Sequence, residues 1–159
     1  MNLMMLLEMA TQVAGDRVAF GRADDGLTYQ ALFDRAGGAA RRLQEAEAGT
    51  LAFVGLATDA FPTAVFASSW AGIPLAPLNF RLSDEQLAPL LDRLDRPLVV
   101  ADPAFVDRLR NLGATVVPDD EWIAAADRAD PAAPWAMDPT AIALLLFTSG
   151  TTAEPKAAV

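Results

Sequence analysis

The residues richest in chemistry are Thr148, Ser149, Gly150, Thr151, Thr152 and Lys156. They follow Leu145-Leu146-Phe147, an apolar run that reads as the end of a buried strand. Hydroxyls, the backbone N–H groups of a glycine-bearing loop and one ammonium are the groups a polyphosphate needs. The chain has no histidine and no cysteine. Imidazole bases, Ser-His-Asp triads, His-based metal sites, thiol chemistry and disulfides are thereby excluded. What such a loop can contribute is electrostatic stabilisation and positioning.

The spacing is not that of a Walker A loop, since no Gly-x-x-x-x-Gly-Lys-Ser/Thr is present. It closely resembles the phosphate-binding signature of adenylate-forming enzymes: acyl- and aryl-CoA synthetases, adenylation domains of peptide synthetases, and luciferases. Their pattern, Thr-Ser-Gly-Thr-Thr-Gly-x-Pro-Lys-Gly/Ala, is matched at Thr148 to Thr152, Pro155, Lys156 and Ala157. Ala153 stands where the family usually has glycine, and Glu154 falls at its variable position. Two earlier segments resemble the family in the same order. One is Thr28-Tyr29-Gln30-Ala31-Leu32 with Arg42-Leu43 after it. The other runs from Phe61 through Pro77-Leu78-Asn79-Phe80-Arg81-Leu82 to Ala101-Asp102. Its Pro-Leu-Asn-x-Arg-Leu wording is more like acyl-CoA synthetases than peptide-synthetase domains.

The resemblance implies a reaction in which a carboxylate and ATP give an acyl-adenylate and pyrophosphate, and the acyl group then passes to a thiol, usually coenzyme A. By the same resemblance, Thr148, Ser149, Gly150, Thr151 and Thr152 wrap the β- and γ-phosphates. Lys156 is the catalytic residue that neutralises the leaving pyrophosphate. ATP, Mg2+ and coenzyme A are the implied cofactors, with a carboxylic acid, fatty or related, as substrate. The family's acyl-site histidine, adenine-reading loop, ribose-binding acid and C-terminal lysine have no positions here. The chain is therefore expected to be the N-terminal part of an AMP-forming acyl-CoA synthetase, inactive in isolation. A reading from a different class is a non-catalytic α/β binding or oligomerisation module, for which the 53% hydrophobic content is the support.

At 159 residues one domain with a substantial core is expected. A net charge of −9 argues against nucleic acid and anionic membranes as partners, which require clustered Lys and Arg. A homodimer stays open, since a mean hydropathy of +0.25 is high for a free surface. Met1 to Ala10 is apolar, but it lacks a basic leader and Glu8 interrupts it. It reads as an amphipathic opening helix of a cytoplasmic protein. No run reaches membrane-spanning length.

The elements that must hold the loop follow from periodicity. Helices are expected at Leu3 to Ala14, after the Thr28 cap, from Phe61 to Ala71, after the Ser83-Asp84-Glu85-Gln86 capping box, after Asp102-Pro103, and at Asp119 to Ala126. Short apolar strands alternate with them at Leu51 to Leu56, Ile73 to Ala76, Leu98 to Ala101, Thr115 to Val117 and Ala141 to Phe147. That alternation predicts an α/β fold, a mostly parallel sheet flanked by helices. The predicted organisation is an α/β portion over 1–126, a linker over 127–140 bearing Pro131, Pro134 and Pro139, and a strand plus phosphate loop over 141–159 of the same domain. Asp24-Asp25 and Asp119-Asp120-Glu121 read as turn chemistry and a helix start rather than a metal site.

Overall fold

Four short apolar runs form one parallel sheet. The structure, a computed structural model, describes residues 3–135, 138, 140–148 and 156–158. The sheet strands are β3 (Thr50–Val54), β4 (Leu75–Pro77), β5 (Pro97–Ala101) and β6 (Thr115–Pro118), in the order β4-β3-β5-β6. Before them come α1 (Leu3–Ala14), a two-stranded antiparallel ribbon of β1 (Val18–Phe20) and β2 (Leu27–Thr28), and α2 (Tyr29–Glu45). The crossovers are α3 (Ala60–Ala71), α4 (Asp84–Asp92) and α5 (Val106–Asn111), and α6 (Asp119–Ala126) follows the last strand. Among the described residues, no helix is long and apolar enough to cross a membrane.

Apart from Thr50 and Thr115 at their starts, the strands are apolar, and both sheet faces are covered. Ala52, Val54, Ala76, Val99, Ala101 and Val116 meet Leu87, Leu90, Leu91, Val106 and Leu109 of α4 and α5 on one face. Leu51, Phe53, Leu75, Leu98 and Val100 meet α2, α3 and α6 on the other. Outside that second helical layer α1 buries Met4 and Leu7 against Leu32, Ala36, Ala40 and Trp70.

Helix ends obey the local chemistry. Thr28 Oγ1 accepts the Ala31 N–H at 3.1 Å to start α2. Ser83 and Gln86 form the capping box of α4, with Ser83 N–H donating to Gln86 Oε1 at 3.1 Å. α3 stops at Gly72, which adopts φ +74°. The helix after Asp102 differs from expectation. Asp102 Oδ1 accepts the Ala104 N–H at 2.9 Å, but Pro103–Phe105 makes a 3-10 turn before α5 begins.

Gly37 and Gly38 lie inside α2, where they cost helix propensity. Packing explains both. A Cβ on Gly37 would come within 2.8 Å of Pro131 and 3.0 Å of Trp70, and one on Gly38 would strike the Ala126 carbonyl. Through this gap Ala132 N–H donates to Gly37 O, and Trp70 Nε1 donates to Ala133 O, each at 3.0 Å. Part of the proline-bearing stretch is thereby fastened to α2 and α3.

The two glycine types make opposite demands. Gly38→Ala gains about 1 kcal/mol of helix propensity but overpacks against backbone, so a net loss of about 2 kcal/mol is expected. Gly72→Ala meets open space and loses about 1 kcal/mol through its positive φ alone. Urea unfolding of both variants checks the order. A Gly38→Ala protein as stable as the parent would refute the close approach of α2 and α6.

Candidate functional site

The strand that precedes the loop is built by alternation. Leu144 packs with the α3-side cluster, whereas Leu145 and Phe147 pack with the α4/α5-side cluster. Leu144 makes a parallel bridge to Leu75 at the outer edge of β4. Leu75 N–H donates to Ala143 O at 2.9 Å, and Leu145 N–H donates to Leu75 O at 2.8 Å. The next donor on that edge would be residue 77, which is proline and has no N–H. The ladder stops there. Instead, β7 (Leu146–Thr148) pairs antiparallel with β8 (Lys156–Ala158). The single strand expected over Ala141 to Phe147 is thus a short edge contact followed by one arm of a hairpin.

The hairpin register is Leu146↔Ala158, Phe147↔Ala157 and Thr148↔Lys156. Thr148 and Lys156, the first and last members of the expected phosphate set, are backbone partners. Antiparallel partners lie about 4.5–5.5 Å apart between Cα atoms. Whatever path 149–155 takes, it leaves and returns at one place. Ser149, Gly150, Thr151 and Thr152 lie outside the described residues. Phe147, packed on the core immediately before Thr148, anchors the first foot.

In a parallel sheet all C-terminal strand ends share one edge. The segments after β4, β5 and β6 emerge there with the hairpin. After β4, Leu78 N–H donates to Phe53 O at 2.8 Å, and Asn79 Oδ1 accepts the Arg81 N–H at 3.0 Å. Arg108 of α5 grips this turn. Its Nε reaches Asp84 Oδ1 at 2.6 Å, Nη1 reaches Phe80 O at 3.1 Å and Nη2 reaches Leu82 O at 2.5 Å. The Phe80 and Phe105 rings stack with centroids 5.2 Å apart. Sequence reasoning missed Arg108, because nothing near it in the chain marks a partner 24–28 residues away.

Toward β6 the edge turns acidic. Thr58, Asp59, Asp119, Asp120 and Asp127 line a cleft of about 400 Å³ together with Ala60, Ile123 and Ala124. Burial pushes the Asp119 carboxyl above its ordinary range, and the like charges of Asp102 and Asp120 act in the same direction. The Asp120 N–H and the Thr58 hydroxyl at 3.5 Å oppose it. This cleft does not suit phosphate. Asp24 and Asp25 pair with Arg22, at 3.9 and 3.8 Å on open surface.

With this geometry in place, the comparisons with known proteins agree among themselves. The family described as AMP-binding enzyme matches residues 7–159. The non-canonical nonribosomal peptide synthetase FrzA of a Cladobotryum species is 39% identical over 117 residues, covering 73% of this chain and 11% of that protein. The 4-hydroxybutyrate–CoA ligase 2 of Metallosphaera sedula is 28% identical over 109 residues, covering 67% of this chain and 20% of that protein. Among solved structures, ATP-bound MatB from Rhodopseudomonas palustris superimposes with a TM-score of 0.82 at 25% identity, covering 99% of this chain and 34% of MatB. The chain thus spans about a tenth to a third of the length of these proteins.

The acidic cleft gives a testable pH dependence. Because the folded state raises the Asp119 pKa, it binds that proton more tightly than the unfolded chain does. Stability from this group is therefore present at low pH and falls as pH rises through the raised value. Asp119→Asn should lift the urea midpoint at pH 7, and the gain should fade as pH drops to about 4, the ordinary carboxylate value. An equal effect of the substitution at pH 7 and below pH 4 would sink this account.

Proposed function

The chain belongs to the AMP-binding enzyme family, and from that premise we propose that it forms part of an ATP-dependent ligase. In this reading the enzyme activates a carboxylic acid as its acyl-adenylate and passes the acyl group to coenzyme A. Thr148, Ser149, Gly150, Thr151 and Thr152 hold the β- and γ-phosphates. Lys156 stabilises the charge that builds on pyrophosphate as the carboxylate oxygen attacks the α-phosphorus. The observation that carries the reading is the backbone pairing of Thr148 with Lys156 at the end of a core-anchored strand. It gathers both ends of the motif at the C-terminal edge of the sheet, where parallel α/β folds receive ligands.

The loop acts by charge and position, with no covalent bond to its residues. Mg2+ accompanies ATP in this proposal. Among the described residues no group of three or more acidic side chains is arranged to hold a metal, so no described carboxylate is assigned to it. A fatty or related acid as substrate and the cytoplasm as location, where ATP and coenzyme A are supplied, complete the proposal. The Pro77-Leu78-Asn79-Phe80-Arg81-Leu82 segment favours coenzyme A as acceptor. The 39% identity to a peptide synthetase supports a second reading, in which the acceptor thiol sits on a carrier protein.

Carboxylate-dependent exchange of labelled pyrophosphate into ATP tests the activity in the full-length protein that contains this chain. Lys156→Ala should lower the exchange rate roughly 100-fold, the usual scale for one preorganised electrostatic contact. Exchange undiminished in Lys156→Ala would remove that residue from the mechanism. Failure of a broad panel of acids to support exchange by folded protein would remove the reading altogether. Thioester formation with coenzyme A, against formation on an added carrier protein, separates the two acceptors.

A further inference from the structure

We infer that Arg108 is a positioning residue for the phosphate-binding loop, acting through the turn that continues β4. The inference rests on the ligase reading above. Three nitrogens of one guanidinium are committed to a single turn: Nε to Asp84, Nη1 to Phe80 O and Nη2 to Leu82 O. The side chain is only 28% exposed, so these contacts are partly shielded from water. One turn earlier on the same stretch, Phe105 stacks on Phe80, and Arg81 covers the Phe80 ring at 4.7 Å. The turn is therefore held on both its polar and its apolar side.

The guanidinium is not what closes this turn. Asn79 already closes it, with Asn79 O accepting the Leu82 N–H at 3.1 Å. The turn does, however, lie next to the strand that delivers Thr148. Leu75, two residues before Pro77, holds Ala143 and Leu145 by backbone hydrogen bonds. Two residues on, each chain reaches the same level: β4 ends at Pro77, and β7 begins at Leu146. There the hydrogen-bond ladder has lapsed, because Pro77 offers no N–H. Side-chain packing must take over the alignment. Phe80, Leu82 and Phe105 pack on the same core cluster as Leu145 and Phe147. Arg108 fixes the first group, and the shared cluster transmits that placement to Phe147 and so to the first foot of the loop. A lysine at 108 would offer one point charge in place of a planar fork and could not satisfy three acceptors in fixed directions.

Amide hydrogen exchange and steady-state kinetics on the full-length protein test this. In Arg108→Met, exchange at Leu145–Thr148 should accelerate roughly tenfold, while Val99–Ala101 in the sheet centre keep their protection. The KM for Mg-ATP in pyrophosphate exchange should rise roughly tenfold, about one net hydrogen bond's worth of misplacement. The KM for the acid should stay within about twofold. Arg108→Lys should recover less than half of the effect. Asp84→Asn removes one of the three contacts and should show the same pattern at smaller amplitude, which keeps the test open if Arg108→Met folds poorly. Unchanged exchange at Leu145–Thr148 would overturn the inference, as would equal rises in both KM values. The hydrogen-exchange arm does not depend on activity. If no acid supports catalysis in the parent protein, the ligase reading falls, and the position of Arg108 is still decided by exchange at Leu145–Thr148.

Discussion

The site depends on two hydrogen bonds at one residue. Leu75 N–H to Ala143 O and Leu145 N–H to Leu75 O are the ladder contacts that join the motif-bearing strand to the sheet. Sheet edges leave unpaired donors and acceptors that need cover. The outer edge of β4 receives that cover from residues 143–145 and loses the capacity to give more at Pro77. A strand pairs on both of its edges, so the pairing of Leu146–Thr148 with Lys156–Ala158 does not compete with the contact to β4. On the β4 side the ladder ends at Pro77, which has no N–H to give. The same residue opens the Pro-Leu-Asn segment whose wording resembles acyl-CoA synthetases.

Beyond the sheet, two arginines tie segments that the backbone does not connect. Arg35 of α2 donates to both carboxylate oxygens of Asp127, at 2.7 and 3.1 Å, and to Asp59 at 2.8 Å. It joins the end of α6 to the start of α3. Burial opposes the charge on Arg35, but the hydrogen bonds and attraction of Asp127 and then Asp59 outweigh it and raise its pKa. Arg108 performs the comparable task on the opposite face, using two carbonyls and one carboxylate. In both cases the fork geometry of guanidinium converts one side chain into several fixed contacts. The i,i+3 and i,i+4 pairs of Arg41 and Arg42 with Glu45 are surface contacts of much smaller worth.

Local chemistry was legible in the sequence wherever a residue type answers to its own backbone. α1 and α6 have the expected bounds, Thr28 and Ser83 cap their helices, and Gly72 ends α3. What was not legible depends on residues distant in the chain. The edge contact of residues 143–145 ends opposite Pro77, which lies on a neighbouring strand. Arg35 meets Asp127 across 92 residues. The close packing at Gly37-Gly38 likewise depends on the distant partners Pro131, Trp70 and Ala126. For the motif the division is similar. Its residue types carry the expectation of phosphate chemistry, and the register that sets Thr148 opposite Lys156 comes only from the fold.

Charge distribution sets the strand that carries Thr148, proposed as the first residue of a phosphate loop, apart from the acidic end of this sheet. The chain carries a net −9; Asp102 follows β5, and Asp119 and Asp120 follow β6, the far strand. Strands 143–145, β4, β3, β5 and β6 stand in that order, so four interstrand spacings separate the loop's strand from β6. At about 4.8 Å each, that is roughly 19 Å. The Debye length near physiological salt is about 8 Å, so repulsion between these carboxylates and a triphosphate at the loop is largely screened. Asp59 and Asp84 are answered locally, by Arg35 and Arg108. A phosphate loop carried on β6 instead would face an aspartate that already resists ionisation. The sheet order therefore keeps the strand that carries Thr148 at the opposite side of the sheet from the acid-lined cleft.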